Sequence, residues 1–280
     1  SSVEKVNKLG LSKIKLLSPG RIGRVAALNY GISIASGDYV SILDADDIFL
    51  RDKLRIQNEL LDNDKSISLV YSNVIFVNKY GKKIGKSNYP TNHNEIFEYL
   101  KNLNPFPASS AMFRKSKFID VNGYNDKCEK SIDFNLYLSL IIAGGKFKGI
   151  KKPLNLIKIN ENSWGKSDNQ SLQIKFGMLG LFNYYFVINN KKSLFEKSSV
   201  EWQELLKKFN LWFQNNNFNN KQLSKKYLHK SIEKFRERKI FEGIYLLIKS
   251  IEKDKTTLFH KGIGFYFERD AKDFEKYINL

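Results

Sequence analysis

The sequence has one cysteine, five prolines, three histidines and no hydrophobic run long enough to cross a bilayer. A single cysteine, Cys128, cannot form an internal disulfide, which fits a protein of the reducing cytoplasm. The histidines are scattered, so the sequence indicates neither a histidine-based metal site nor a Ser/His/Asp triad. The longest apolar segments, such as 244–248, are far shorter than the roughly 18 residues that a membrane-spanning helix needs.

Acidic residues are scarce relative to basic ones. The chain has 47 Lys and Arg but only 29 Asp and Glu, which leaves a net charge of +18. The apolar share of 42% and the charged share of 27% are those of a soluble globular protein, and they exclude disorder, collagen and coiled coil. The positive charge is spread along the chain without a basic block. It favours an anionic partner such as a nucleotide, a nucleic acid or an acidic lipid surface; alternatively, it only maintains solubility. The basic residues form no stripe with interleaved aromatics and no known motif, so no specific nucleic acid is expected.

Hydrophobic patterning divides the chain into two parts. Up to residue 165, short β-branched and aromatic segments alternate with segments of helical spacing, which predicts an α/β domain with a mostly parallel sheet flanked by helices. One helix is expected over 23–35. Another is expected after Asp47, with Leu50, Leu54, Ile56 and Leu60 on its apolar face. Residues 166–280 have long segments of helical spacing only and form a predicted α-helical C-terminal region.

The strongest chemical signal is the acidic segment 44–47. It follows the predicted buried strand 39–43, and ligands of open α/β sheets bind at the carboxyl ends of the strands. Asp44 and Asp46 are two residues apart, so in an extended segment they project to the same side. Two such carboxylates suit Mg²⁺ or Mn²⁺ that also binds substrate phosphates. The pair Asp62 and Asp64 has the same spacing, but it ends a helix and is expected to be solvated.

A glycine- and arginine-containing segment precedes the first helix. Gly20, Gly23 and their neighbours Arg21 and Arg24 place backbone N–H groups and fixed cations just before a helix start, where phosphates bind. Such a segment alone is a weak signal. Its order relative to the acidic segment, which is loop, helix, strand and then carboxylates, strengthens it.

Several motifs in this order resemble one known family. Residues 23–32, 35–40 and 43–47 resemble the middle of a family-two glycosyltransferase with the GT-A fold. Residues 110–114 and 121–125 resemble its acceptor-side strand and its Gly-Gly-Phe/Tyr-Asp segment, and 131–137 resemble its Glu-Asp-Tyr-Asp-Leu-Trp stretch. The resemblance covers about residues 1–160. It is specific for the fold and superfamily but not for the sugar.

The resemblance implies an inverting transfer from a nucleotide-sugar, such as a UDP-sugar, to a glycan or lipid-linked acceptor in surface polysaccharide synthesis. Asp46 would hold Mg²⁺ or Mn²⁺, and Asp44 would contact the ribose or assist the metal. Arg24, with Gly23 beside it, would face the nucleotide or its phosphates. Asp133 would be the general base that removes the acceptor hydroxyl proton. On the acceptor side, the resemblance implies weaker roles for Trp164 and Arg114.

Each role has a structural alternative. Asp133 can instead cap the helix that follows it, Arg24 can be a helix-surface cation, and Trp164 can pack in the core. Ile132, Asn135 and Tyr137 depart from the family pattern. The family's first two strands, which hold the nucleobase, also have no counterpart, so we expect a domain that lacks them.

A degenerate binding module of the same fold, which recognises a glycan or a partner enzyme, is therefore the second hypothesis. For the enzyme, a cytoplasmic location is expected. Basic helices after residue 165 are compatible with peripheral contact at the inner membrane face.

Overall fold

A computed structural model describes residues 4, 14–101, 106–159, 167–216, 227, 240–253 and 264–279, with the side chains of 167–170 and 264–267 excepted. The helices of this part are α1 (Arg24–Ile34), α2 (Lys53–Asn63), α3 (His93–Leu100), α4 (Lys115–Asp120), α5 (Ile132–Ile142), α6 (Ser167–Ile188), α7 (Ser199–Asn215), α8 (Ile240–Lys253) and α9 (Gly264–Ile278). The strands are β1 (Tyr39–Val40), β2 (Ile48–Phe49), β3 (Ile67–Val77), β4 (Lys83–Lys86), β5 (Ala111–Arg114) and β6 (Lys146–Lys158).

The strands form one sheet in the order β1-β5-β3-β6-β2, with β4 paired to β3. The predicted α/β class is confirmed, but the expectation of a mostly parallel sheet is wrong for the described strands. The β3–β6 pair is parallel, whereas the other four pairings are antiparallel. The connections explain the mixture. A tight turn at Gly81 folds β4 back on β3, while a long path through helices brings β6 alongside β3 in the same direction.

Helices cover both faces of the sheet. Leu61 of α2 packs with Val70 and Met112 on one face. On the other face, the larger buried cluster includes Leu69 and Tyr71 of the sheet and residues of α1, α3 and α5. A parallel pair buried on both faces explains why β3 is almost continuously buried.

The buried face of α2 differs from the one expected. Its fully covered positions are Lys53, Gln57 and Leu61, one turn apart, whereas Leu54 is 52% exposed. Ile56 and Leu60 flank this buried stripe. The hydrophobic pattern therefore predicts the wrong buried face for α2, because two of the three fully buried side chains, Lys53 and Gln57, are polar.

The C-terminal helices continue the core of the sheet domain. The cluster that covers the sheet extends through α5 to α6, α7 and α9, where Phe182, Phe209, Trp212 and Phe274 pack ring against ring. A capping box of Ser198 and Glu201 fixes the start of α7. The division at residue 165 stays a prediction. No helix in the described ranges is long and apolar enough to cross a membrane.

Candidate active site

The acidic segment lies in a turn between β1 and β2. The Asp47 N–H donates to the Asp44 carbonyl oxygen at 3.0 Å, so the segment is not the extended run that the sequence suggested. Ser109, in the short 3₁₀ turn before β5, holds this loop through two hydrogen bonds. Its hydroxyl donates to Asp47 Oδ2 at 2.6 Å and accepts from the Asp44 N–H at 3.4 Å. Ser109 thus holds both ends of the acidic segment.

The three carboxylates of the loop have different surroundings. Asp47 also accepts from the Lys158 N–H at 3.1 Å, so both of its oxygens are used in the fold. Burial raises the pKa of Asp47, and the neighbouring Asp46 and Asp44 charges raise it further, while the two hydrogen bonds oppose the rise. Asp46 is exposed and Asp44 is partly buried. The anchored Asp47 therefore leaves Asp44 and Asp46 as the carboxylates able to meet a ligand.

Arg24 and Asp44 form the ion pair of the site. Arg24 Nη2 lies 3.0 Å from Asp44 Oδ1, and the two side chains are 56% and 39% exposed. Arg24 is the first residue of α1, directly after Gly23, whose φ of 84° is in the left-handed region. A Cβ at Gly23 would meet no atom within 4 Å, so backbone conformation rather than crowding favours glycine there. The pair places a cation and a carboxylate together at a helix N-terminus.

Asp133 joins this cluster from α5. Its carboxylate interacts electrostatically with Arg24 and Asp44, and the hydroxyl of Tyr124 lies beside it. Burial raises the pKa of Asp133, whereas Arg24 and the Tyr124 hydroxyl lower it by a smaller amount. Asp133 Oδ1 is buried and has no hydrogen-bond partner among the residues that the structure describes. Ser131, not Asp133, holds the cap position of α5, so the capping alternative does not describe this residue.

An amide side chain ties the two halves of the cluster together. Asn29 of α1 donates to the Tyr124 carbonyl oxygen at 2.8 Å and accepts from the Tyr124 N–H at 2.9 Å. The preceding Gly123 has a φ of 70°, and a Cβ there would lie 2.8 Å from Asn29 Oδ1. This clasp holds the helix that begins with Arg24 against the segment that flanks Asp133.

Two predicted residues are not brought to the cluster by the described structure. Arg114 directs its guanidinium to the carbonyl oxygens of Ile67 at 2.8 Å and Asp64 at 2.9 Å, so it ties the end of α2 to the start of β3. These contacts do not bring Arg114 to the cluster, and its acceptor-side role stays a prediction. Trp164 lies outside the described residues.

The departures from the family pattern in α5 have structural reasons. Asn135 is 3% exposed and donates to the carbonyl oxygens of Ser131 at 2.9 Å and Phe176 at 3.2 Å, where a carboxylate has no proton to give. Tyr137 stacks on Phe106 with ring centroids 4.4 Å apart. Both residues therefore serve the packing of α5.

The donor set fits a metal ion that is shared with a substrate. No group of three or more His, Cys, Asp or Glu that could hold a metal occurs among the described residues. Mg²⁺ commonly uses one or two protein carboxylates and completes its shell with phosphate oxygens and water. The Asp44 and Asp46 pair meets that requirement, but it does not make a self-sufficient metal site.

Comparison with known proteins finds one family whose model matches part of the chain. The sequence model described as Glycosyl transferase family 2 matches residues 2–121, which include Arg24 and the whole acidic loop. This part of the chain is therefore similar to a family 2 glycosyltransferase. The described α/β architecture agrees with the GT-A fold that the motifs imply. The matched region ends before Asp133.

Curated proteins similar to this chain include named glycosyltransferases. An uncharacterised glycosyltransferase of Methanocaldococcus jannaschii is 30% identical over 59% of this chain and 54% of its own length. The hyaluronan synthase of Pasteurella multocida is 28% identical over 68% of this chain and 18% of its own length. The chain thus spans about half or less of these relatives. A solved mannosyltransferase of Pyrobaculum calidifontis, in complex with GDP-Man and Mn²⁺, matches at 12% identity with a TM-score of 0.46, over 99% of this chain and 69% of that one.

The sequence patterns did not identify two residues that shape the site, Ser109 and Tyr124. Ser109 was not singled out, because a lone serine before a strand has no distinctive signal. Tyr124 lies within segment 121–125, which resembles the Gly-Gly-Phe/Tyr-Asp segment of the family. That resemblance is the sequence feature that could have indicated Tyr124. Its place beside Asp133 depends on the tertiary fold.

Proposed function

We propose that this chain is an inverting glycosyltransferase that moves a sugar from a nucleotide-sugar, such as a UDP-sugar, to a glycan or lipid-linked acceptor in surface polysaccharide synthesis. One observation carries the proposal. The buried Oδ1 of Asp133, which is unpaired within the described part of the chain, lies in the same cluster as the Arg24–Asp44 pair, although α5 is distant from α1 in the sequence. A native protein rarely leaves a buried carboxylate oxygen unpaired, and an acceptor hydroxyl would satisfy it.

The donor side consists of Arg24, Asp44 and Asp46. Arg24 offers a fixed positive charge at the N-terminus of α1, suited to an anionic diphosphate. Asp44, already paired with Arg24, is placed to orient the nucleotide or to assist a cation, and the exposed Asp46 is the principal metal ligand. Bound Mg²⁺ or Mn²⁺ would neutralise charge on the diphosphate leaving group.

Asp133 is the general base of the proposed transfer. Its carboxylate removes the proton of the acceptor hydroxyl while that oxygen forms the new bond to the anomeric carbon. The bond from that carbon to the diphosphate oxygen breaks, and the electron pair leaves with the nucleoside diphosphate. Attack opposite the leaving group inverts the configuration. Burial raises the pKa of Asp133, which makes it a stronger base than an exposed aspartate.

Two substitutions separate these roles. Asp46→Asn is expected to remove Mn²⁺-dependent UDP binding, measured by calorimetry. Asp133→Asn is expected to retain that binding and to lose transfer by a factor of 10² or more, because general base catalysis contributes about 10²–10⁴-fold. Transfer is measured as UDP release from UDP-sugars in the presence of Mn²⁺ and an acceptor.

Asp62→Asn is the matched control, since this exposed aspartate belongs to the other Asp-x-Asp pair and bonds to Tyr39 and Asn58. It should change neither measurement. Full activity in both Asp46→Asn and Asp133→Asn would refute the assignment of roles. Absence of any metal-dependent heat with UDP or GDP in the unchanged protein would favour the non-catalytic binding module instead.

We extend the proposal to a cytoplasmic protein in peripheral contact with the inner membrane face. Helix α8 supports this extension, because five of its large apolar side chains are exposed and recur at helical spacing: Ile240, Phe241, Ile244, Tyr245 and Ile248. Such a helix can lie in the interface of an anionic membrane. Flotation with phosphatidylglycerol vesicles tests the contact. Phe241→Asp should reduce the bound fraction, and unchanged flotation would contradict it.

A further inference from the structure

A fully buried lysine lies next to the segments that hold the acidic loop. Lys53, the first residue of α2, has no solvent exposure, and none of its hydrogen-bond partners among the described residues is a carboxylate. Its ammonium group lies 4.5 Å from the centroid of the Phe49 ring. Burial lowers the pKa of Lys53 from 10.5 to about 7. A lysine is rarely kept in such a place without a specific use for its donors.

All three donors of the ammonium group have acceptors, and the acceptors come from different segments. Lys53 Nζ donates to Ser41 Oγ at 3.0 Å, to the Ala111 carbonyl oxygen at 3.3 Å and to Gln57 Oε1. Ser41 precedes the acidic loop, and Ala111 begins β5. Since an ammonium group has three N–H donors and no acceptor, this set uses it completely.

The same contacts lead on to the carboxylates. Ser41 also donates to the Ala111 carbonyl oxygen at 2.8 Å, and Gln57 donates to the Ser110 carbonyl oxygen at 2.8 Å. The next residue back, Ser109, holds both Asp44 and Asp47. Two residues of α2 thus connect the segment that enters the acidic loop with the segment that anchors it.

We propose that Lys53 is a positioning residue that fixes the acidic loop in the geometry required to bind the nucleotide-sugar, by joining Ser41 to the segment 109–111. The proposal rests on the proposed function for its catalytic consequence, but the effect on the loop is independent of it. Lys53 touches neither the donor nor the acceptor; it acts through the loop that bears Asp44 and Asp46.

The test compares Lys53→Met with Arg55→Met. Methionine has about the length of the lysine stem without its donors, and Arg55 is an exposed residue of the same helix that pairs with Asp52 and Glu59. In Lys53→Met, we expect the backbone amides of 44–47 to exchange hydrogen at least tenfold faster, with exchange in α5 unchanged. The KM for the donor should rise at least tenfold, while kcat changes less than threefold. Arg55→Met should match the unchanged protein in all three.

The outcomes separate the two proposals. Folded Lys53→Met with normal loop exchange, or with an altered kcat and a normal KM, would overturn the positioning role. If Lys53→Met does not fold, Ser41→Ala decides, because it removes the contact at the loop and retains the lysine; normal loop exchange in Ser41→Ala would overturn the role. If the unchanged protein shows no metal-dependent donor binding while Lys53→Met alters loop exchange, the proposed function fails and the positioning role stands.

Discussion

The enclosed Lys53 predicts an unusual dependence of stability on pH. Its pKa in the folded protein is about 7, below the ordinary lysine value of 10.5. Between these values the unfolded chain binds more protons than the folded one at this site, so the free energy of unfolding rises with pH. The destabilising effect of the buried charge is therefore greatest below pH 7 and is relieved as the pH increases.

The magnitude follows from the linkage between protonation and folding. From pH 7.5 to 9.5, Lys53 should add about 2 to 2.5 kcal/mol to the free energy of unfolding, since each full pH unit contributes at most about 1.4 kcal/mol. Urea unfolding at pH 7.5, 8.5 and 9.5 measures this in the unchanged protein and in Lys53→Met, which cannot titrate. The difference between the two curves isolates Lys53, because the other groups are common to both.

Lys65→Met is the control, because that lysine is 74% exposed and lies just after the same helix. Its curve should run parallel to that of the unchanged protein. If the Lys53→Met curve were also parallel within about 0.5 kcal/mol, near the error of linear extrapolation, the lysine would not be desolvated as the structure indicates.

Three further predictions concern packing, helix capping and the base. Gly149→Ala should destabilise the fold by about 1–3 kcal/mol in urea unfolding, since its Cβ would lie 2.8 Å from a backbone carbon of the neighbouring loop, whereas Gly85→Ala, with its nearest contact at 3.7 Å, should be nearly neutral. Ser198→Ala should lower stability by about 1 kcal/mol through loss of the capping box, and an unchanged melting temperature would contradict this. Arg24→Met should raise the pKa of Asp133, so the acidic limb of kcat at saturating donor should move to higher pH; an unmoved limb would show that Arg24 does not influence the base.

Helix α1 was predictable because its buried face is apolar. Val25, Leu28 and Ile32 recur at helical spacing, and all three are at least partly buried. The face of α2 was not, because hydrophobicity cannot identify Lys53 and Gln57 as buried. Their burial depends on oxygen acceptors that β5 and the acidic loop supply in three dimensions.

The hydrophobic pattern alone predicts two shorter strands in the place of β3, and two in the place of β6. Polar residues interrupt the apolar pattern at Ser72 and Asn73, which separated 67–71 from 74–77. In the fold the Asn73 amide donates to the Lys151 carbonyl oxygen at 3.0 Å and its oxygen accepts from Ser87 and Tyr89, so the polar residue is paired inside a continuous strand. Local patterning does not contain such distant partners.

The candidate site was predictable in its residues but not in its arrangement. Motif order placed Arg24, Asp44 and Asp133 in one hypothesis, and the structure brings all three into one cluster. The turn at 44–47 and the anchoring of Asp47 by Ser109 depend on the 3₁₀ segment before β5, far along the chain. The spacing of the carboxylates alone does not show that Asp47 is the one whose oxygens are hydrogen-bonded within the fold.

The clasp between Asn29 and residue 124 implies that the two positions differ in their tolerance to substitution: it restricts position 29 much more than position 124. Asn29 binds only main-chain atoms of its partner, so this link is indifferent to the partner's side chain and is lost there only with proline, which lacks the N–H. At position 29, by contrast, aspartate lacks the donor and leucine lacks both groups. In a saturation mutagenesis library selected for folded protein, position 29 should therefore be nearly invariant. The clasp should not cause covariation between positions 29 and 124.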